Sequence, residues 1–207
     1  LLVAMIQTDV KRLVAYSSVS HLGFVVLGIF SMTVEGIQGG IIQMVNHGLS
    51  TGALFLVVGM LYERRHTRLL ENFGGLWKVV PVLGALALVT MLSSVGLPGL
   101  NGFVGEFTIL LGGFSSTAIG SPWFAGVAAL GVILAAVYLF HMFQNLFLGP
   151  VTHEENLKLK DLSVREILIL APILIMAFWI GIYPKPFFML MAPAVEKLTA
   201  LVQSAAL

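Results

Sequence analysis

Glu106 is an acidic residue in an apolar setting, with Phe103 and Val104 before it and Phe107 after it. At membrane depth an ionisable side chain is costly, and by default it indicates function. Five helix-disfavouring residues lie between positions 93 and 107, and they predict a break in a helix. Such breaks are tolerated in a membrane only where they face protein or a wet cavity. We therefore expect a protonatable carboxylate beside a break formed by Gly96, Pro98, Gly99, Gly102 and Gly105.

Two histidines could exchange protons with that carboxylate. An imidazole has an unperturbed pKa near 6.5, so it both accepts and donates protons near neutral pH, and water can bridge neighbouring groups. Spacings of three and four residues place each histidine on a polar helical face. His21 shares its face with Ser17 and Ser20, and His47 shares its face with Gln43, Ser50 and Thr51. Glu106, His47 and His21 are the predicted proton-transfer residues.

Each of these three residues also has a structural interpretation. Glu106 could form an ion pair with a neighbouring subunit or extend to the membrane interface. His47 could be a packing histidine with a satisfied ring, and the serine-rich face of His21 could simply join helices. The residues alone leave these alternatives open.

Other polar residues have weaker functional signals. Lys11 and Arg12 fit better as topology anchors than as proton carriers. Tyr138, His141 and Asn145 share one face near the end of a later helix. There His141 could extend a proton path or cap the helix.

The composition predicts an integral membrane protein. The 207 residues are 58% hydrophobic and 10% charged, whereas a soluble domain carries about 25% charged residues. Apolar runs of about 20 residues favour an all-α, multi-span helical bundle with a discontinuous helix over a barrel. The chain has no cysteine, which excludes thiolate-ligated clusters and disulfides within it. Nothing in it resembles a phosphate-binding loop or a cluster of metal ligands, and we expect no nucleic-acid partner.

Polar breaks divide a single transmembrane domain into five spans and a tail. A capping box at Ser163 and Glu166 begins the fifth span, and the mildly amphipathic tail is expected at the interface or against a neighbour. The predicted spans are residues 13–32, 39–62, 79–114 with a break between 95 and 102, 122–148 and 165–184, followed by the tail 185–207.

The distribution of basic residues predicts the topology. If residues 79–114 cross once, as two half-helices, nine of the 11 lysines and arginines lie on one side. If they cross twice, the division is eight to three. Both arrangements obey the positive-inside rule, with the basic loops in the cytoplasm. We favour one crossing, because the second half is short for an independent span.

Several sequence strings resemble a known family. They are QTDVKRLVAYSSVSHLGF at residues 7–24, NHGLS at 46–50, YERRHTR at 62–68, GLPG at 96–99 and GFVGEF at 102–107. The chain resembles the antiporter-like membrane subunits of NADH:quinone oxidoreductase (respiratory complex I), within the wider family of cation/proton antiporter subunits. Its strings are most similar to the branch called subunit M in bacteria and subunit 4 in mitochondria, which has a counterpart in the chloroplast-type enzyme. Its opening residues read as the last turns of a helix and lack a signal peptide, so we interpret it as a carboxy-terminal fragment.

The resemblance implies a fold and a set of site residues. The family has fourteen helices with two inverted five-helix repeats, and this chain would hold most of the second. The family's equivalents of His21, His47 and Glu106 lie on a hydrated axis at mid-membrane, with Glu106 as its terminal protonatable group. The family often has arginines where His141 and Asn145 stand here, which puts a charge role for that helix end in doubt.

The resemblance also implies a function. We expect proton translocation by a multi-pass subunit of the bacterial inner membrane, within an enzyme complex whose NADH, FMN, iron–sulfur clusters and quinone belong to other subunits. The expected partners are neighbouring membrane subunits, the lipid bilayer, protons and water. The alternatives are a cation/proton antiporter, a membrane-bound hydrogenase subunit, or a purely structural bundle with a dry interior.

Overall fold

The computed structural model describes residues 2–205, and within that range the regular structure is helical, with no β-strand. Four of its helices are long and apolar enough to cross a membrane, namely those at Val10–Phe30, Val34–Arg65, Trp123–Phe147 and Val164–Ile182. This is the predicted all-α membrane fold. The helices are α1 (Leu2–Met5), α2 (Val10–Phe30), α3 (Val34–Arg65), α4 (Pro81–Val95), α5 (Asn101–Ser115), α6 (Trp123–Phe147), α7 (Val164–Ile182) and α8 (Lys185–Ala205).

Helix α3 is the central element, and it is longer than its apolar run predicts. It begins at Val34, five residues before the predicted start, because the Thr33 side chain accepts a hydrogen bond from the Gly36 amide. It ends at Arg65, because the next residue, His66, has a left-handed backbone (φ 50°) that stops the helix. At 32 residues, α3 has a length of about 48 Å, and it contacts each of the helices α2, α4, α5, α7 and α8.

Glycines allow α5 to approach α3 very closely. A Cβ atom at Gly39 would lie 2.7 Å from the Ile109 amide nitrogen, and one at Gly112 would collide with the backbone of Gly36. Small residues at helix contacts are typical of membrane bundles, in which association depends on close packing. Gly39 and Gly112 are therefore positions of close packing between α3 and α5.

The predicted break separates α4 from α5. Gly96 (φ 83°) and Gly99 (φ 94°) have left-handed backbones, which glycine adopts without steric cost. Gly102 and Gly105, predicted as part of the break, lie instead in the first turns of α5. There they allow close contact, because a Cβ atom on Gly102 would collide with the Ser93 carbonyl oxygen.

The two half-helices run in the same direction along α3. The end of α4 meets the middle of α3 through Ser93 and Ser50, whose hydroxyl oxygens are 2.7 Å apart. The far end of α5 meets the beginning of α3 at Gly112 and Gly36. Together α4 and α5 are thus antiparallel to α3 over most of its length.

Arg64 ties the other end of α3 to the loop that precedes α7. Its guanidinium donates to both carboxylate oxygens of Glu166, at 2.6 and 2.9 Å. Its remaining donors reach the carbonyl oxygens of Met60, Lys160 and Asp161. The pair is mostly buried, with side-chain exposures of 14% and 16%. Such bidentate pairing fixes geometry as well as adding energy.

The same loop caps two helices. The Asp161 carboxylate accepts hydrogen bonds from the Val82 and Leu83 amides at the start of α4, at 2.8 and 3.0 Å. Free amides at a helix start need such acceptors. The capping box predicted at Ser163 and Glu166 is present at the start of α7. The ends of α3, α4 and α7 are therefore held together by side chains of one loop.

The predicted tail forms a helix. Helix α8 packs against α3, with Val195 and Thr199 buried. It carries Lys185, Glu196 and Lys197 and is not among the four helices apolar enough to span a membrane. Its position relative to the bilayer stays a prediction.

The close approach at Gly112 makes a testable prediction. Gly112→Ala should destabilise the protein by about 1–3 kcal/mol, because the added methyl group forces two backbones apart. Gly23→Ala is the matched control: a Cβ atom at Gly23 meets nothing within 4 Å, and alanine favours a helix over glycine. The measurement is the thermal unfolding midpoint of the purified protein in detergent. Equal midpoints for the two variants would contradict the packing role of Gly112.

Candidate functional site

The Glu106 carboxylate is buried and contacts one imidazole. Its Oε1 lies 3.3 Å from Nδ1 of His21, and both residues are only 4% exposed. Glu106 comes from the second turn of α5, and His21 from the middle of α2. The structure therefore brings together two residues 85 positions apart in the sequence, at a distance just beyond the usual range for an N–H···O hydrogen bond.

His47 extends this pair. Its ring centroid lies 5.8 Å from that of His21, and its Nδ1 lies 3.1 Å from the Thr51 hydroxyl. His47 is half-buried. The three predicted proton-transfer residues thus form a continuous series, in the order His47, His21, Glu106.

A small polar cavity lies beside the histidines. It measures about 10 Å³ and is lined by His21, His47, Asn46, Ser94 and further polar residues of α3 and α4. Nε2 of His21 and Oδ1 of Asn46 are buried without a hydrogen-bond partner among the described residues. A site of this polarity and size suits about one water molecule.

The helix break supplies space for the carboxylate. A Cβ atom on Gly96 would lie 2.5 Å from Oε2 of Glu106. The break therefore does two things at once: it turns the chain, and it leaves room for an acidic group beside the end of α4.

Next to the carboxylate, a network of polar side chains joins the break to α3. The Asn101 side chain bonds to the hydroxyls of Ser93 and Ser50, the latter at 3.2 Å. It also donates to the Asn46 carbonyl oxygen, while the Asn46 side chain donates to the Asn101 carbonyl oxygen, at 3.3 and 2.7 Å. These contacts satisfy polar groups that lipid could not.

Two of the polar residues predicted to share a face with His47 lie in or beside this network. Ser50 is part of it, and Oε1 of Gln43 accepts a hydrogen bond from Nδ2 of Asn46 at 3.3 Å. Ser17 is buried on α2, four residues before His21, and its hydroxyl donates a hydrogen bond to the Val14 carbonyl oxygen. Ser20 is half-buried on the same helix.

The polar residues with weaker functional signals lie elsewhere or make no side-chain hydrogen bond to this network. The Tyr138 hydroxyl is buried and makes no hydrogen bond among the described residues. His141 is exposed on α6 and bonds only to its neighbour Asn145, 3.1 Å away. Lys11 is exposed in the first turn of α2, ten residues before His21.

Sequence reasoning missed Asn101 and Ser93 as members of the site. Both are fully buried, at 0% and 1% exposure. A signal was present, since Asn101 is the only amide side chain inside the broken segment. Its role could not be inferred from the local sequence, because its hydrogen-bond partners on α3 lie about 50 positions away.

Among the described residues, no group of three or more histidine, aspartate or glutamate side chains is placed to hold a metal ion. The described polar cavity is lined by hydroxyl, amide and imidazole groups. These groups can donate and accept hydrogen bonds, and the imidazoles can also take up and release protons.

Comparisons with known proteins identify relatives of this chain. A family model described as "NADH:quinone oxidoreductase/Mrp antiporter, TM" matches residues 1–131. NADH-quinone oxidoreductase subunit M of Rickettsia typhi is 43% identical over 197 residues, which are 95% of this chain and 39% of the relative. The chain thus spans about two fifths of that relative's length.

Two solved structures contain chains that superpose on this one. Respiratory complex I from Thermus thermophilus contains a chain that superposes with a TM-score of 0.89 at 39% identity, over 96% of this chain and 41% of that one. The Mrp complex from Dietzia sp. DQ12-45-1b superposes with a TM-score of 0.72 at 26% identity, over 94% of this chain and 20% of that one. The predicted resemblance is confirmed, and the bacterial relatives with the four apolar helices confirm a multi-pass protein of the bacterial inner membrane.

The space beside Gly96 leads to a prediction that a comparison of alanine substitutions at Gly96 and Gly99 can test. Gly96→Ala and Gly99→Ala both place a side chain on a left-handed backbone, but only the first adds an atom beside Glu106. We expect Gly96→Ala to displace the carboxylate and lengthen its 3.3 Å contact with His21. Gly99→Ala should keep that contact, since its Cβ atom would meet nothing within 4 Å. High-resolution structures of both variants measure the distance, and an unchanged contact in Gly96→Ala would contradict the expectation.

Proposed function

The chain belongs to the NADH:quinone oxidoreductase/Mrp antiporter transmembrane family, and on this premise we propose that the whole protein translocates protons as an antiporter-like subunit of NADH:quinone oxidoreductase. The observation that carries the proposal is the buried contact between Glu106 and His21 at the helix break. Buried ionisable groups in a membrane are expensive and mark ion pathways.

The proposed path uses three groups. A neutral His21 that carries its proton on Nδ1 donates it to the Glu106 carboxylate, which becomes the neutral acid, while Nε2 of the same ring accepts a proton from a protonated His47. The proton from His47 travels through a water molecule in the adjoining cavity, which both rings line, with their centroids 5.8 Å apart. His21 is left neutral with its proton on Nε2, and rotation of the ring restores the first tautomer. The cavity size and the unpartnered Nε2 of His21 support this step.

The other polar residues have positioning tasks in this proposal. Ser17, Ser20, Gln43 and Ser50 give the path a polar wall, and the helix-break glycines leave room for Glu106. Lys11 fixes the cytoplasmic end of α2. Tyr138 and His141 could prolong the path along α6, although His141 is exposed and bonded to Asn145.

We also propose that residues 79–114 cross the membrane once, within one transmembrane domain. The antiparallel course of α4 and then α5 along α3 supports a single crossing. The start of α4 then shares the cytoplasmic side with the loop that contains Asp161.

Redox chemistry in the proposed enzyme belongs to other chains. This chain has no cysteine to bind an iron–sulfur cluster, and NADH, FMN and quinone would bind to partner subunits. The outer faces of α6 and α7, with exposed Leu130, Ile133 and Ile175, would contact lipid or neighbouring membrane subunits. Protons and water are the only small species that we assign to this chain.

A second candidate is a subunit of a cation/proton antiporter. The superposition with the Mrp complex favours it, because the same bundle would then exchange cations without NADH. The lower identity of that match, 26% against 39%, is why we place it second. A membrane-bound hydrogenase subunit would have the same fold.

Glu106→Gln tests the proposed function. In the assembled complex the variant should lose most proton pumping per NADH oxidised, because an amide cannot take up and release the proton. Glu35→Gln is the matched control, since Glu35 is at the start of α3, away from the histidines. Proton uptake by inverted vesicles, divided by NADH oxidation, is the measurement. An unchanged ratio in Glu106→Gln would remove Glu106 from the path.

Because residues 1–207 contain no cysteine, thiols introduced into this part of the protein permit a direct test of the single crossing. Lys78→Cys and Thr117→Cys place thiols at exposed positions before α4 and after α5. With one crossing, a membrane-impermeant maleimide added to intact cells should label Thr117→Cys and spare Lys78→Cys, and inverted vesicles should reverse the pattern. Labelling of both positions from the same side would indicate two crossings.

A further inference from the structure

We infer that Asn101 is a positioning residue that holds the beginning of α5 on α3 and thereby keeps the Glu106 carboxylate at the His21 ring. The inference rests on the proposed function, because it assigns a task at the same site. Asn101 is fully buried and is the first residue of α5. Glu106 follows five residues later on the same helix.

The Asn101 side chain joins three helices. Its Oδ1 accepts from the Ser93 hydroxyl of α4, and its Nδ2 donates to Ser50 and to the Asn46 carbonyl oxygen of α3. The contact with Asn46 is reciprocal, since the Asn46 side chain donates to the Asn101 carbonyl oxygen at 2.7 Å. Four hydrogen bonds therefore meet at the point where the chain resumes its helix.

The break itself cannot hold α5 in place. Residues 96–100 include two glycines with left-handed backbones, and glycine is the least restricted residue. The contact between Glu106 and His21 is already 3.3 Å long, beyond the usual range for an N–H···O bond. A small movement of α5 away from α2 would therefore end it.

Few ionisable groups lie near Glu106 on the helices that pack against α5. His21 of α2 contacts the carboxylate, His47 of α3 lies beside the His21 ring, and Tyr138 is buried on the adjoining helix α6. The described residues of α4 carry no ionisable side chain, and α5 carries only Glu106 itself. On α7 the ionisable side chains, Arg165 and Glu166, lie at its beginning, beside Arg64 rather than beside the break. A change in the pH profile on loss of Asn101 would thus report on the Glu106–histidine series.

Asn101→Ala in the assembled complex tests this inference. We expect the pH profile of proton pumping per NADH oxidised to shift by about one pH unit, because loss of a hydrogen bond to a charged group changes proton affinity by about tenfold. Asn156→Ala is the control: Asn156 is equally buried but lies in the loop before α7. It should lower stability without moving the profile.

A second variant keeps the test decisive. Asn46→Ala removes the reciprocal partner, so it should shift the profile in the same direction, and the double variant should shift it by less than the sum. If Asn101→Ala prevents assembly, Asn46→Ala carries the test alone. An unmoved profile in variants that assemble overturns the positioning role.

The Glu106→Gln variant separates this inference from the proposed function. If Glu106→Gln abolishes pumping while the pH profiles of the asparagine variants stay unmoved, only the inference about Asn101 fails. If Glu106→Gln pumps normally, the proposed function fails.

Discussion

A carboxylate beside a gap in a membrane helix needs polar partners within the protein, because the hydrocarbon core provides none. In this chain that requirement is met by the His21 ring for Glu106 and by the paired asparagines for the interrupted backbone. Both sets of contacts depend on how closely α5 lies against α3. The glycines along that contact are therefore part of the site as much as of the scaffold, since a bulkier residue would separate the groups.

The two halves of α3 are held in different ways. Near its beginning, α3 meets α5 through small residues, backbone against backbone. Near its end it meets α4 and α7 through larger apolar side chains, including Leu61 and Leu83, and through the buried pair of Arg64 and Glu166. The polar residues of the site lie between these two regions. The site thus occupies the transition between two kinds of packing, where hydrogen bonds rather than apolar contacts determine the geometry.

Much of this arrangement is accessible from sequence, for identifiable reasons. Hydropathy reveals the spans, and glycine with proline reveals the break, because both signals are local. Glu106 is conspicuous among apolar neighbours. The Asn101 network and the Asp161 cap were not predicted, because their partners lie about 50 and 79 positions away. The early start of α3 was also missed: its cap at Thr33 precedes the apolar run from which the span was predicted.

The cap at the start of α4 has an evolutionary consequence. Because Asp161 supplies acceptors for the α4 amides while its own carbonyl oxygen binds Arg64, the spacing from Asp161 to Ser163 is fixed from both ends. Insertions or deletions in that short segment would uncap one helix or shift the next. Relatives should therefore keep a constant register from residue 160 onward.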